Sequence, residues 1–568
     1  MNPGGENRRA GTWILTGLAL LAGAAWAAET PLERWGGMRF GMFVHWGPVS
    51  LKGTEIGWSR GAQVSTTEYD QLYKRFNPVK FDAAAWVGFA REAGMKYLVI
   101  TTKHHDGFCL WPSKLTDYSI ANTPFKRDVL RELSDECKKQ GIIFSTYYSV
   151  CDWHHPDYAL GSPGGSTKKP APNMDRYAEY LMGQTRELVT NYGSLGVMWF
   201  DMGYEEPWKA DYGKRIAAEL KALQPTLIIN DRCRGYAGDY ATPEQRVGGF
   251  DMDRRWESCI TICQQWSWKP DDRLKTLKEC VRTLARCAGG DGNLLLNVSP
   301  MPDGAIEPRQ AARLKEIGEW LKICGESIYR TRGGPFKPGR WGVSTHRGDT
   351  VYLHVFRWPE GGILLPALGR KVVSCTLLTG GTAGVDREGE ATRIRVPEEF
   401  RREIDTVIAV ELDGPADAIE PLDLATSFSS LARGVEVTAS NVFQKDETWG
   451  PEKAADGDET TRWATDYGIR TAWLETDFGK PVTIGSVLID ECVDYGDRIR
   501  EFVIEAEVDG KWNPIIDGAK VGEEYRKSFP PVTTSRVRLR ILKSSEGPTI
   551  WEFELYAPEK TDKGGVKP

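Results

Sequence analysis

At 568 residues the chain exceeds what one hydrophobic core accommodates, so roughly two to four domains are expected. A composition of 40% hydrophobic and 27% charged residues, with no low-complexity tract, excludes a disordered or fibrous chain. A formal net charge of -6 with no basic patch excludes nucleic acid as the partner. The excess of 21 Trp and 20 Tyr has two readings, a ring-rich core or rings that stack on the apolar faces of sugars.

The N-terminus reads as a signal peptide over residues 1–28. Arg8 and Arg9 supply the positive start, Trp13 to Gly23 the apolar core, and Ala25-Trp26-Ala27 a small-residue cleavage site. The chain is therefore expected to be exported, to the periplasm or the extracellular space, and to become one charge more acidic as Glu6, Arg8 and Arg9 leave. An uncleaved anchor is the competing reading, but the apolar run is short for a span and no other stretch offers one. The 11 Cys are scattered and odd in number. Cys259 and Cys263 lack the second half of a zinc site, and one or two disulfides stay open.

From residue 29 to 333 short apolar runs alternate with amphipathic segments, the pattern of an α/β (β/α) TIM-like barrel. Strands are expected at Phe40–His45, Tyr97–Thr101, Ile142–Ser149, Val197–Asp201, Leu227–Asn230 and Leu294–Val298. Helices are expected at Asp82–Ala93, Asp128–Gln140, Asp175–Asn191 and Pro308–Cys324; the first three open on Asp, and Gly follows each closely. Residues 334–420 alternate apolar and polar positions between Gly-rich turns, as a small β-sandwich does. After a linker at Pro415–Ser430 a second all-β domain covers 430–558, and 559–568 reads as a frayed tail.

Barrel enzymes collect their chemistry where strands end. Here the strand ends carry His45-Trp46-Gly47, then Lys103-His104-His105-Asp106, then Tyr147-Tyr148-Ser149 and Asp152-Trp153-His154-His155. Trp199-Phe200-Asp201 and Asn230-Asp231-Arg232 follow, and five of the 7 His lie in these loops. Singly each has a plain explanation: a hydrogen-bonded structural His, or Asp201 as a helix cap. His104 and His105 do not make a metal centre, because strand neighbours face opposite ways and no third ligand stands at useful spacing. Together, imidazole, indole, phenol and guanidinium around one carboxylate suit a polyhydroxylated ligand.

HWG at 45–47, GWSRG at 57–61, KHHDGF at 103–108, YYS and DWHHP within 147–156, WFD at 199–201, NDR at 230–232 and GDYATPE at 238–244 form a specific combination. Over residues 34 to about 330 it resembles the α-L-fucosidases of glycoside hydrolase family 29. The resemblance implies removal of terminal α-L-fucosyl groups from glycans with retention, through a covalent fucosyl-enzyme on Asp201. It implies Glu244 as the acid/base, with Glu257 in RWESC as the alternative; a strand residue is the plain reading of Glu257. His45, His104, His105, Tyr147, Arg232, Trp58 and Glu55 would bind the sugar, although EIGW departs from the family's adjacent Glu and Trp. Phe200 or Trp266 would wall the fucose methyl. No cofactor is implied for catalysis, and no membrane span after cleavage of the leader.

Ala454-Ala455-Asp456-Gly457, Thr460-Thr461-Arg462-Trp463, WLETDFG at 473–479, VRLR at 537–540 and EFEL at 552–555 resemble an F5/8 type C (discoidin-like) module. It is similar to family 32 carbohydrate-binding modules, eight-stranded sandwiches that often hold a structural calcium, here near Asp456 and Asp458. Two other functions stay in play: a catalytically inactive secreted glycan-binding protein, and a related hexosidase acting on galactosides.

Overall fold

The structure, a computed structural model, describes residues 29–162, 167–359, 361–424, 430–457, 461–493, 496–522 and 525–558. The leader, Asp458 and the tail from residue 559 lie outside them. The chain forms two compact units that meet in sequence between Gly333 and Gly334.

The first unit is built on seven parallel strands. They are β1 (Phe40–Val44), β2 (Tyr97–Lys103), β3 (Ile143–Ser149), β4 (Val197–Asp201), β5 (Ile228–Ile229), β6 (Glu257–Thr261) and β7 (Asn293–Val298). Their order across the sheet is β5-β4-β3-β2-β1-β7-β6. Burial on both faces explains why β1 is apolar throughout and why apolar runs, Tyr97 to Ile100 and Leu294 to Leu296, make up much of β2 and β7. Around them lie α1 (Pro31–Met38), α2 (Ala83–Glu92), α3 (Val129–Gln140), α4 (Met174–Asn191), α5 (Ala210–Leu223), α6 (Leu277–Gly289) and α7 (Pro308–Cys324). Side-chain caps start several of them: Asp82 accepts from the Ala85 amide, Asp128 from Arg131, Asn173 from Arg176, and Thr276 forms a capping box with Glu279. Gly141 closes α3 at a left-handed φ of 74°. Of these elements, α1, α5, α6 and β6 are not among those expected from the sequence.

The barrel expected from sequence is seen as this seven-stranded sheet. Between β5 and β6 the chain makes single parallel bridges only: Asn230 to Tyr240 on one side, Ala241 to Trp256 and Glu244 to Cys259 on the other. Toward β6 the amides of Ala241, Glu257, Cys259 and Gln245 donate in turn to the carbonyls of Arg255, Ala241, Pro243 and Cys259 at 2.9–3.1 Å. The rung absent from this series falls on Pro243, which has no N–H to give.

The second unit holds two separate apolar cores. Around the first lie an antiparallel sheet containing Gly342–Arg347, Thr350–Val355, Val372–Leu377 and Thr406–Leu412, and a three-stranded sheet of Ile363–Leu365, Gly384–Glu388 and Ala391–Arg395. Leu353, Ile408, Ile363 and Ile394 meet between them. Around the second core, which includes Leu474, Ile484, Ile504, Leu539 and Phe553, runs a seven-stranded antiparallel sheet, the discoidin-like part. Two of its strands, Ala472–Glu491 and Tyr525–Ser544, are twenty residues long and shift register along their length. Among the described residues this sheet has seven strands, where the resemblance implied eight.

Among the described residues no helix is long and apolar enough to cross a membrane. No disulfide joins any of the eleven cysteines, ten of which are buried.

Candidate active site

The pocket opens at the C-terminal ends of β1 to β4 and is lined by His45, His104, His105, Tyr147, Asp201 and Arg232, with Trp58 and Glu244. Asp201 is the last residue of β4. One carboxylate oxygen accepts from the Tyr147 hydroxyl at 2.9 Å; the other accepts from Arg232 Nη1 at 3.0 Å and from the Met202 amide at 2.8 Å. His105 Nε2 stands 3.8 Å away. Burial alone would raise the Asp201 carboxyl, but the Arg232 charge and these donors hold it below the usual carboxylate value.

Arg232 is the hub. Its Nη1 also donates to Glu244 at 2.7 Å, while Nε and Nη2 are fixed by the hydroxyl and carbonyl of Thr242, both at 2.9 Å. Two carboxylate oxygens on a single nitrogen, at 3.0 and 2.7 Å, lie within about 6 Å of one another. Their side chains differ in access: 14% of Asp201 is exposed against 42% of Glu244.

The three histidines are kept neutral. Burial lowers His45 to about 3, despite its 2.7 Å hydrogen bond to Asn297, and lowers His105 to about 4, where Ser149 Oγ is 2.7 Å away. His104 is pushed well down, by burial and by its imidazole neighbours. A neutral imidazole both donates and accepts, which matches a sugar hydroxyl rather than an anion. His104 and His105 both reach the pocket, contrary to the alternation argued from sequence, because β2 ends at Lys103 and the two follow it in a loop. Gly57, at φ 68°, lets that region close up; a Cβ there would come within 2.8 Å of His104 Nδ1.

Trp58, 42% exposed, meets His105 edge-on at 5.6 Å and forms one wall. Trp266 forms another, 4.7 Å from the His45 ring. Phe200 does not line the pocket: on a strand, Trp199 and Asp201 share one face, and Phe200 turns to the other, toward Tyr148. The indole on this face is Trp199, two positions before Asp201 in the strand-end cluster and given no role of its own by the sequence. Met202, Tyr204, Phe43 and Cys259 complete the lining, and no sequence signal marked them.

Two expected site residues lie elsewhere. Glu55 does not line the pocket; its carboxylate accepts from the amides of Trp266, Ser267 and Ile56 at 2.8–3.1 Å and from the Ser267 hydroxyl. Burial raises it nonetheless. It clasps the loop that presents Trp266. Glu257 is fully buried at the start of β6, receiving the Tyr97 hydroxyl on one oxygen and Trp199 Nε1, at 3.1 Å, on the other. Burial pushes it up to about 7.

A larger cavity of ≈ 630 Å³ opens where the strands begin, between Trp35, Tyr97, Ile143, Val197 and Ile228. None of the catalytic candidates reaches it. Near Asp456, the Thr461 hydroxyl donates to the carboxylate at 2.8 Å and the Lys453 ammonium lies at 4.0 Å. Asp458, the other residue expected to hold calcium, lies outside the described residues. Among the described residues no three His, Cys, Asp or Glu side chains gather as a metal would require.

The sequence matches the profile of the Alpha-L-fucosidase family over residues 24–326 and that of the F5/8 type C domain over 436–554. It is 28% identical to the plasma alpha-L-fucosidase of Homo sapiens over 374 residues, 60% of this chain and 79% of that one. It is 34% identical to the solved structure of alpha-L-fucosidase isoenzyme 1 from Paenibacillus thiaminolyticus, with a TM-score of 0.62 over 67% of this chain and 99% of that one. A Bacteroides thetaiotaomicron alpha-L-fucosidase, trapped as a covalent intermediate with 2-fluoro-fucosyl fluoride in a glutamate-to-glutamine variant, is 31% identical, with a TM-score of 0.62 over 68% of this chain and 96% of that one.

Proposed function

This chain belongs to the α-L-fucosidase family of glycoside hydrolases, and on that premise we propose that it removes terminal α-L-fucosyl residues from glycans by double displacement, with Asp201 as nucleophile and Glu244 as acid/base. The observation that carries the reading is the single Arg232 nitrogen bonded to both carboxylates. Two of their oxygens lie within about 6 Å of one another, a closeness that supports a retaining pair, whose carboxyl groups stand near 5–5.5 Å apart.

Arg232 also explains how two carboxyl groups serve in turn. In the first step Asp201 is charged and Glu244 carries the proton it gives to the leaving oxygen. As Asp201 bonds to the anomeric carbon it loses its charge, and Glu244 acquires one. The guanidinium thus faces one negative charge before and after the step, merely changing partner. Glu244, now a carboxylate and open to solvent, takes a proton from the water that releases fucose. Tyr147 donates to Asp201 throughout, and the neutral imidazoles of His45, His104 and His105 meet the sugar hydroxyls. The Trp58, Trp199 and Trp266 rings offer flat faces to C–H groups and to the C6 methyl. None of these roles needs a cofactor.

The same reading closes the barrel through the Tyr240–Glu244 segment and sets domain limits at 29–333, 334–420 and 430–558. It also keeps the enzyme exported, in the periplasm or outside the cell.

Incubation with a 2-fluoro-fucosyl fluoride, followed by peptide mapping, is expected to find the sugar on Asp201. Proton NMR of a fresh hydrolysate should show the α-anomer first. A label on another side chain, first release of the β-anomer, or faster turnover of aryl galactosides than of aryl α-L-fucosides would overturn the reading. A glycan-binding protein without activity would give no label at all.

A further inference from the structure

We propose that Glu257 is a positioning residue: from beneath the pocket it fixes the Trp199 indole, and through that ring it holds the two donors that aim Asp201. The inference rests on the reading of Asp201 as nucleophile.

Glu257 spends both carboxylate oxygens on hydroxyl and indole donors. The Tyr97 hydroxyl donates to one, and Trp199 Nε1 donates to the other at 3.1 Å. Tyr97 can lie there because β1 carries Gly41, where a Cβ would meet the phenol ring at 2.3 Å. The other titratable groups facing Glu257 are the phenol of Tyr240 and the thiols of Cys259 and Cys287. Its neighbours therefore hold it in place without taking it to the substrate.

Trp199 is the shared support. Its ring stacks on Tyr147 with centroids 5.5 Å apart and planes 22° from parallel, and the Arg232 guanidinium sits 4.7 Å from it. Tyr147 and Arg232 are the side chains that hydrogen-bond Asp201, whose other titratable neighbours are His45, His105, Tyr204, Cys151, Cys259 and, across Arg232, Glu244. The indole between them backs both side chains, Arg232 being tied besides to Thr242. An indole gripped at its N–H keeps its plane; one packed only by apolar contacts can tilt. Small displacements at a reacting centre are costly in rate, about 100-fold for 1 Å.

The test compares full-length wild type with Glu257→Gln, Glu257→Leu and Trp199→Phe. Glutamine keeps an oxygen for the indole, so kcat/KM on nitrophenyl α-L-fucoside should stay within about threefold of wild type. Leucine fills the space but accepts nothing: kcat/KM should fall about 10- to 100-fold, with the acid limb of the pH profile moved to higher pH as Asp201 loses its donors. Trp199→Phe keeps a ring without the N–H and should move the acid limb the same way, which covers the case that Glu257→Leu fails to fold. An unmoved acid limb in the leucine and phenylalanine variants overturns the proposal. So does a Glu257→Gln enzyme as slow as Glu257→Leu and rescued by azide, since Glu257 would then be the acid/base. Inactive wild type would sink the functional reading instead. The positioning is then read by fluorine NMR of fluorotryptophan-labelled protein, the Trp199 signal moving in Glu257→Leu and staying in Glu257→Gln; a signal unmoved in both counts against it.

Discussion

The two sides of the pocket are built differently. Asp201 ends a strand in the sheet's interior, in parallel register with β3, where Tyr147 opposes Trp199 and Ser149 opposes Asp201. Glu244 stands across from it on a segment that pairs through single bridges and breaks at Pro243. The first side is dry and regular, the second half-open and irregular. Each suits the task proposed for it. A nucleophile has one target, the anomeric carbon, and gains from a fixed direction and from hydrogen bonds that keep it charged. An acid/base meets leaving groups of different shapes and then a water, so it gains from access. Arg232 is bonded to both sides and can balance the negative charge on either.

The largest effect should come from the regular side. Asp201→Asn keeps the shape of the site while removing the attacking charge, and kcat on nitrophenyl α-L-fucoside should fall on the order of 10⁴-fold or more. On the open side, Glu244→Ala should cost about 10³-fold on a glycan, whose poor leaving group needs a proton. On an aryl fucoside the cost of the first step should be far smaller, and azide should restore rate by replacing water. Equal losses on both substrates would break the contrast between the two sides.

Arg232→Gln tests the link, with an expected fall in kcat of about 10²-fold. Its pH signature has a definite sign. The Asp201 carboxyl lies below its ordinary value although burial is the largest single influence and raises it, because the Arg232 charge, the nearby His105 and the hydrogen bonds from Arg232 and Tyr147 together outweigh it. A carboxyl depressed on folding adds stability that is fully present above its unfolded pKa, about 3.9, and is lost as the pH falls through the folded value. Without the guanidinium, burial prevails: the acid limb of kcat/KM moves to higher pH, and acid unfolding of the catalytic unit starts at higher pH. A pH–rate profile beside an acid melt checks both.

The same contrast governs what could be read from sequence. Asp201 was legible because an unbroken apolar run, Val197 to Phe200, ends on a carboxylate. Period-two alternation in that run also fixes Trp199 on the Asp201 face and Phe200 on the other, so which ring walls the pocket is legible in the same run. His104 and His105 depended on where β2 stops, which one residue decides. β6 begins Glu257-Ser258, a polar opening that hides a buried strand, and only Tyr97 and Trp199, far away in sequence, make that glutamate a comfortable core residue. Glu55 shows the converse: its motif pointed to the sugar, but its partners are amides 211 and 212 residues away. Partners so distant in sequence leave no trace in local spacing.

The smallest effect, and the sharpest test of the irregular side, is Pro243→Ala. An amide at 243 would face the Glu257 carbonyl and complete the ladder to β6. One added hydrogen bond contributes about 0.5–1.5 kcal/mol. Losing the proline frees the unfolded chain and takes back about 0.4–1 kcal/mol. The net change should therefore stay within about 1 kcal/mol, a shift of a few degrees at most in the melting temperature of the catalytic unit. The kinetic consequence should be one-sided. A straighter segment constrains Glu244, so glycan cleavage should slow a few-fold while the aryl fucoside, less dependent on the acid, is spared. If both substrates slowed alike, the break at Pro243 would serve to place Arg232 and not to free Glu244.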